Sequence, residues 1–350
     1  MDEAVIVIAD LYLHAEEPVP AAMATDPGAL AGLEYVGRFG ERERLSEGWR
    51  RWLAHWLGRG DLARVSVAAI AAAAPPAGRA VATRWIATPV ALRAGLTRAH
   101  LARHDGILRL RPEEQRSLVS AFERTFGGSG LVLEPLSDGQ FLLMSDAIAP
   151  IPTTEPARCA GGELTVPQGP AAASLLRLVA EIEMWLHGEA LNESRTARGA
   201  PPVTSLWLWG AEGEALPSGE PPRAAGPDGA SRGATLALGA DAYLTGLARL
   251  AGAALEALPE GPAALWAERR AARAVLLAEL AGAAPDAGPW SLPAAAAALD
   301  RRLVRPALAA LSAGRLARLT LIANDTRITL GRLSGLRRWR RPRPGLGAFA

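Results

Sequence analysis

The sequence predicts an α/β fold, a sheet flanked by helices with a small α+β insertion, and three observations carry that prediction. Residues Ala4 to Ala9 are a continuous apolar run of strand length that ends in Asp10. Residues 175–209 switch from helical spacing of apolar side chains to a period of two. In the C-terminal part, a strand-like run at 235–238 is followed by helical patterns and then by a hairpin-like pair from Leu316 to Arg332. Strands that alternate with helices pack as layers around a sheet.

Each element has its own reason. Leu45 to Leu57 reads as a helix in which Trp49, Trp52 and Trp56 recur at spacings of three and four, an aromatic stripe that packs in a core or an interface. Asp61 to Ala74 continues apolar and stops at Pro75-Pro76. A second unit then runs from Arg84 to about Ser145. It is extended near Trp85, has a strand at Ile107 to Leu110, and has a helix from Pro112 to Phe126 that opens on Pro-Glu-Glu, a favourable first turn. Gly127-Gly128-Ser129-Gly130 closes the helix, and Leu131–Glu134 with Gln140–Met144 form a hairpin around Ser137-Asp138-Gly139. Pro150 to Pro170 reads as a loop, and the Gly/Pro-rich stretch Glu212 to Gly233 as a flexible surface loop. Beyond it, helices are expected at 241–258, 262–281 and 293–313. The domain division that follows is 1–83, an N-terminal α/β part; 84–150, the α+β insertion; 151–215, a helix–strand segment; 216–234, the loop; and 235–350, a C-terminal α/β part with a basic tail.

Composition narrows the chemistry. All 38 basic residues are arginine, in a chain of 350 residues that is 49% hydrophobic. Such an Ala- and Arg-rich composition fits a GC-rich bacterial genome. It excludes a Schiff-base lysine, a lysine nucleophile and the Walker lysine. A net charge of +2 is too small to make the whole chain a polyanion binder. The single cysteine, Cys159, has no internal disulfide partner and fits a reducing compartment. MDEAVIVIAD lacks the basic start of a secretory signal, and no apolar run is long enough for a transmembrane helix, so a cytoplasmic protein is expected.

The stretch from Glu181 to Gly210 holds the most specific chemistry. Leu175, Leu178, Val179, Ile182, Trp185 and Leu186 form the apolar face of a helix that Pro201 and Pro202 cannot continue. Ser205 to Trp209 follows as a strand with Trp207 and Trp209 on one face, expected beside the helix ending near His187. Asn192, Arg195 and Arg198 sit at the helix end, where guanidinium forks suit a phosphate or a carboxylate. The same residues also suit a structural corner in which polar side chains cap backbone groups. Elsewhere, His100 and His104 have the i,i+4 spacing of zinc ligands on a helix, without a third and fourth partner. Glu183 and His187 have the spacing of a local charge pair. The tail carries Arg332, Arg337, Arg338, Arg340, Arg341 and Arg343 around Trp339, a cluster suited to nucleic acid, to an acidic partner or to a solvated tail.

Several of these segments together resemble a known group. Asn192-x-x-Arg195 ahead of Trp207-Leu208-Trp209-Gly210 is similar to the matching stretch of RpfE-type bacterial regulatory proteins. More distantly it resembles archaeal-type cofactor-independent phosphoglycerate mutases; Thr204 stands where those chains carry Asn. Gly239 to Gly252 is similar to a post-strand helix of the mutases, Thr88 to Leu101 to an element in which Thr88 replaces Asp, and Leu336 to Arg341 to the end of RpfE-type chains. The resemblance implies an alkaline-phosphatase-like core, with Asp10 at the place of a metal-binding Asp. That superfamily uses two divalent metals and a Ser or Thr nucleophile. Histidines occur here at 14, 55, 100, 104 and 187 and not beyond, and the Asp-Glu-x-x-His-x-Gly-Asp segment of the mutases has no counterpart. The expectation is therefore a catalytically degenerate relative with no catalytic residue, no cofactor and no metal, Asp10 being vestigial. Its role would be regulatory or ligand-sensing, with a phosphorylated or carboxylate small molecule at Asn192, Arg195 and Arg198, and Trp207, Trp209 and Gly210 as a structural signature. The alternatives are a residual phosphomutase or phosphatase, or a protein-interaction scaffold using the tryptophans of 45–57. Neither nucleic acid nor a membrane is an expected partner.

Overall fold

The computed structural model describes residues 1–13, 28–73, 83–94, 99–103, 105–163, 167–169, 172–216, 235–261, 265–266, 271–281, 283, 290–337, 339–341 and 345–349. From the N-terminus these form β1 (Glu3–Ile8), α1 (Ala31–Phe39), β2 (Glu41–Arg44), α2 (Gly48–Trp56), α3 (Val67–Ala72), β3 (Thr83–Val90), β4 (Leu92–Ala94) and β5 (Ala99–Leu101). Next come α4 (Pro112–Phe126), β6 (Val132–Pro135), β7 (Phe141–Ser145), α5 (Pro156–Cys159), β8 (Gly162–Glu163), α6 (Ala172–His187), α7 (Ala190–Ala197) and β9 (Ser205–Trp209). The C-terminal part adds β10 (Thr235–Leu238), α8 (Ala242–Ala251), β11 (Ala254–Glu256), β12 (Arg273–Ala278), α9 (Leu292–Leu299), α10 (Arg305–Ser312), β13 (Arg318–Ala323) and β14 (Thr326–Gly331). The chain divides into two compact units. The first is Met1–Ala63, Glu220–Ala240 and Ala248–Ala350; the second is Arg64–Gly219 and Asp241–Leu247. The first break thus falls at 63/64 instead of 83/84, and the helix–strand segment 151–215 shares a unit with 84–150. The loop expected at 216–234 lies, apart from residue 216, outside the described residues.

The first unit is built on a seven-stranded sheet in the order β11-β10-β12-β1-β13-β14-β2. The α/β class is as the sequence predicts. β1 lies between β12 and β13, parallel to both, with Val5 level with Val275 and Thr320. A strand covered on both faces needs an unbroken apolar run, which Ala4–Ile8 supplies. β14 and β2 close one side antiparallel. Two helices expected in this region are corrected. The one at 241–258 ends at Ala251: Gly252 has φ +66°, and residues 254–256 form an edge strand. The one at 262–281 contains β12, because the buried run Arg273–Ala278 pairs with β1 and β10. A short apolar run has no period that separates strand from buried helix, and pairing decides. Helix 293–313 is present as α9 and α10 joined through a wide turn at Asp300–Val304. That turn brings the buried Asp300 carboxylate onto the backbone N–H groups of Gly32 and Leu33, at 3.1 and 2.7 Å, with Arg305 Nε donating at 2.7 Å. Of the tryptophan stripe on α2, Trp49 is buried. Trp52 and Trp56 stack at 6.3 Å, and the guanidinium groups of Arg327 and Arg273 lie over their rings at 5.5 and 3.9 Å.

The second unit holds a four-stranded antiparallel sheet in the order β6-β7-β3-β9 and a small one in the order β4-β5-β8. α4 and α6 cover one face of the larger sheet. Leu118, Phe122, Leu175 and Ile182 meet Trp85, Leu143, Leu206 and Leu208 there. α3 covers the other face, where Ala68 and Ala71 pack with Ile86, Met144 and Trp209. The predicted hairpin and the helix Pro112–Phe126 are present. Residues 107–110 make a single bridge, Ile107 to Val90, instead of a strand. His100 lies on β5, a strand, so it cannot share a helix face with His104, which lies outside the described residues.

β9 is the strand predicted, beside α6 as expected, and its tryptophans share the face that points away from that helix. Leu206 and Leu208 point to α6, because alternate residues of a strand face opposite sides. Trp209 is 5% exposed and donates through Nε1 to Thr88 Oγ1 at 2.8 Å; Trp207 is half-buried and donates to the Thr154 carbonyl at 2.8 Å. Gly210, with φ +76°, turns the chain so that its carbonyl accepts from Ala68 N at 2.9 Å. Trp209→Ala should therefore cost about 3–5 kcal/mol and Trp207→Ala clearly less. Chemical denaturation of the two variants checks the order, and equal midpoints would contradict this packing.

Candidate functional site

α6 does not end at the predicted anion corner. The chain breaks at Gly188-Glu189, where Glu189 N donates to the Leu186 carbonyl, and a second short helix, α7, begins. Asn192 sits inside α7 and works as a backbone bridge. Its Nδ2 donates to the carbonyls of Leu186 and Val203 at 2.7 and 2.9 Å, and its Oδ1 accepts from Val203 N at 2.7 Å. One side-chain amide thus satisfies three main-chain groups on the way from α6 to β9.

Arg195 and Arg198 do meet an anion, and it is the protein's own. Arg195 is 6% exposed; its Nε donates to the Pro201 carbonyl at 2.8 Å and its Nη1 to Glu114 Oε1 at 2.9 Å. Arg198 Nη2 donates to the same oxygen at 2.8 Å, while its Nη1 reaches Ser194 Oγ at 2.9 Å. Glu114 belongs to the first turn of α4, and its other oxygen accepts from Arg111 N at 2.9 Å. Burial alone would push the Glu114 carboxyl up. The Arg111 amide, the Arg195 charge and the hydrogen bonds of both side chains outweigh it and hold the group below the usual carboxylate range. An external phosphate or carboxylate at this corner has to displace Glu114. The two arginines are legible in the sequence as an anion-binding pair, and their partner is not. Pro-Glu-Glu signalled a helix start, and nothing local tells a capping glutamate from one that also takes a salt bridge from residue 195, 81 positions away.

On its other side α7 borders an open groove of about 650 Å³. Glu183, His187, Asn192, Glu193, Thr196 and Thr204 are among its lining residues, and Arg195 and Arg198 are not. The structure therefore separates the three predicted residues. Asn192 edges the groove, while the guanidinium pair lies with Glu114. Two carboxylates without an arginine make the groove a poor place for an anion.

The remaining candidates have structural surroundings. Asp10, just past β1, accepts backbone N–H bonds from Leu280 at 2.6 Å and Ala281 at 2.8 Å, one on each carboxylate oxygen. Thr88 joins Gln140 and Trp209. Cys159 is buried in α5. Among the described residues, no three of His, Cys, Asp and Glu gather in a way that would hold a metal ion, and no helix is long and apolar enough to cross a membrane.

The chain matches no protein-family model and no curated protein. Among solved structures it is similar to the cofactor-independent phosphoglycerate mutase of Thermoplasma acidophilum, at 13% identity over 95% of this chain and 90% of that one, with a TM-score of 0.37. It is also similar to the PH0037 protein of Pyrococcus horikoshii, at 14% identity over 94% and 87% of the two chains, with a TM-score of 0.49. Neither likeness assigns a residue role or an activity here.

The corner makes a sign-definite prediction. Arg195→Met leaves a buried carboxylate short of its main charge partner and should destabilise the second unit by roughly 3 kcal/mol or more. Because the folded Glu114 is depressed, its contribution is complete above its unfolded value of about 4.3 and is lost as pH falls through the folded one. Glu114→Gln should flatten the acid limb of the stability profile, measured by denaturant unfolding between about pH 6 and 3. A variant with the wild-type slope would refute this role for Glu114.

Proposed function

We propose that this chain is a regulatory or ligand-sensing protein on a phosphoglycerate-mutase-like α/β frame, and that it has lost phosphoryl-transfer chemistry. The observation that carries the reading is Asp10. The resemblance places it where the superfamily binds metal, yet both of its oxygens here fasten the backbone that follows β12, through Leu280 and Ala281. The histidine inventory, which stops at 187, points the same way. The Asn192-Arg195-Arg198 element survives mainly as a clamp, since both of its guanidinium groups already share the Glu114 carboxylate. A phosphorylated or carboxylate acid sensed at this corner would act by exchange with Glu114, entering beside Arg198, whose side chain is 42% exposed.

The test is a mutase assay with Mn²⁺ and 3-phosphoglycerate, run beside a thermal-shift series with the same acid. No turnover above a protein-free control is expected. Turnover well above that control, and lost in Asp10→Asn, would overturn the proposal. For the sensing arm, a shift in wild type that disappears in Arg198→Met supports exchange at the corner. No shift at millimolar acid removes it and leaves a purely structural clamp.

A further inference from the structure

Six large hydrophobic side chains are exposed among the described residues, and four of them are Tyr35, Leu333, Leu336 and Trp339. They belong to one face of the first unit. Tyr35 lies against Gly335, and its ring packs tilted against Phe39, with centroids 4.6 Å apart. Leu333, Leu336 and Trp339 are 74, 65 and 78% exposed, so they project as knobs instead of lining a groove. Arg337 and Arg340 point the other way. Arg337 reaches the Phe39 carbonyl and Glu41, Arg340 reaches the Gly40 carbonyl, and Arg38 Nε donates to the Arg340 carbonyl at 3.0 Å. Guanidinium groups thus fix the segment to the end of α1 and the start of β2, and the apolar side chains are left facing water. Arg332 and Arg341 are exposed beside them, and residues 332–343 carry six arginines and no acidic residue.

We propose that this face is a peripheral docking surface for an anionic phospholipid membrane. Projecting leucine and tryptophan side chains enter the headgroup–acyl boundary without needing a matching socket, and the surrounding arginines complement lipid phosphate. A second copy of the chain is a poorer occupant. The neighbouring edge strand β2 reads Glu-Arg-Glu-Arg, all exposed, with Glu41 and Glu43 on one face and Arg42 and Arg44 on the other. Symmetric antiparallel pairing of two such edges keeps the faces and sets Glu against Glu and Arg against Arg. No spanning helix is required, since the contact is with the interface alone.

The experiment is co-sedimentation of the full chain with vesicles of phosphatidylcholine alone or mixed with phosphatidylglycerol, at roughly 0.1 M salt. The double variant Leu336→Ser/Trp339→Ser and the variant Arg341→Glu are run in parallel; all three sites are exposed, and unchanged melting confirms the fold. Wild type should partition into anionic vesicles at least about tenfold better than into neutral ones. The double variant should lose roughly tenfold, and Arg341→Glu at least about fivefold, as expected for a charge near an anionic surface. Failure of wild type to sediment with anionic vesicles overturns the proposal. So does binding that the double variant retains, which would be electrostatic attraction alone. Self-association in sedimentation velocity that the double variant abolishes, with no lipid binding, would assign the face to a second copy instead.

Discussion

A carboxylate buried in a protein must be given positive charge and hydrogen-bond donors, and in the second unit that requirement organises the corner. Glu114 takes a backbone amide from its own helix start and two guanidinium groups from α7 and its end. Arg195 can reach it only if α6 stops, the chain steps aside and a new helix begins, which is the geometry that Asn192 holds by bridging Leu186 and Val203. The Pro201 carbonyl, freed because two prolines bar further helix, accepts from Arg195. Helix break, proline pair and strand entry are thus one arrangement, and α4 is tied through Glu114 to the approach to β9.

Much of this was legible in the sequence. The apolar run of β1, the helix 112–126, the hairpin that follows it and the paired strands 318–331 each announce themselves by a period, a cap or a turn. β12 and β11 did not, since residues 254–256 and 273–278 become strands by pairing with neighbours brought together by the fold. The corner was half legible. Two arginines at a helix end with a nearby proline pair mark an anion site, but the identity of the anion is a long-range fact. Asp10 shows the same limit. Its place after β1 could be read, whereas its use in holding Leu280 and Ala281 depends on a loop 270 residues away.

The two arginine-rich regions show opposite uses of one side chain. On α2 the guanidinium groups of Arg273 and Arg327 cover tryptophan faces that would otherwise be open, which weakens the case for that stripe as a partner surface. In the C-terminal segment Arg337 and Arg340 turn inward to backbone carbonyls and leave leucines and a tryptophan outside. With no lysine in the chain, every such contact falls to arginine, whose fork can bind a carbonyl and a carboxylate at once, as Arg337 and Arg195 both do.

Asp300 gives the counter-case to Glu114 and shows that donors alone do not decide a buried acid. It accepts from two amides and from Arg305, a similar set of partners, yet burial dominates and its carboxyl lies above the usual range. Arg305 is partly exposed, so water screens its charge, while Arg195 is buried beside its carboxylate. The consequences for stability have opposite signs. Lowering the pH withdraws what Glu114 gives the second unit. In the first unit a raised folded value means that the folded state takes up the proton more readily than the unfolded chain, so Asp300 adds stability as pH falls through it. The difference comes from the burial of the Asp300 carboxylate with one guanidinium beside it, against two at Glu114.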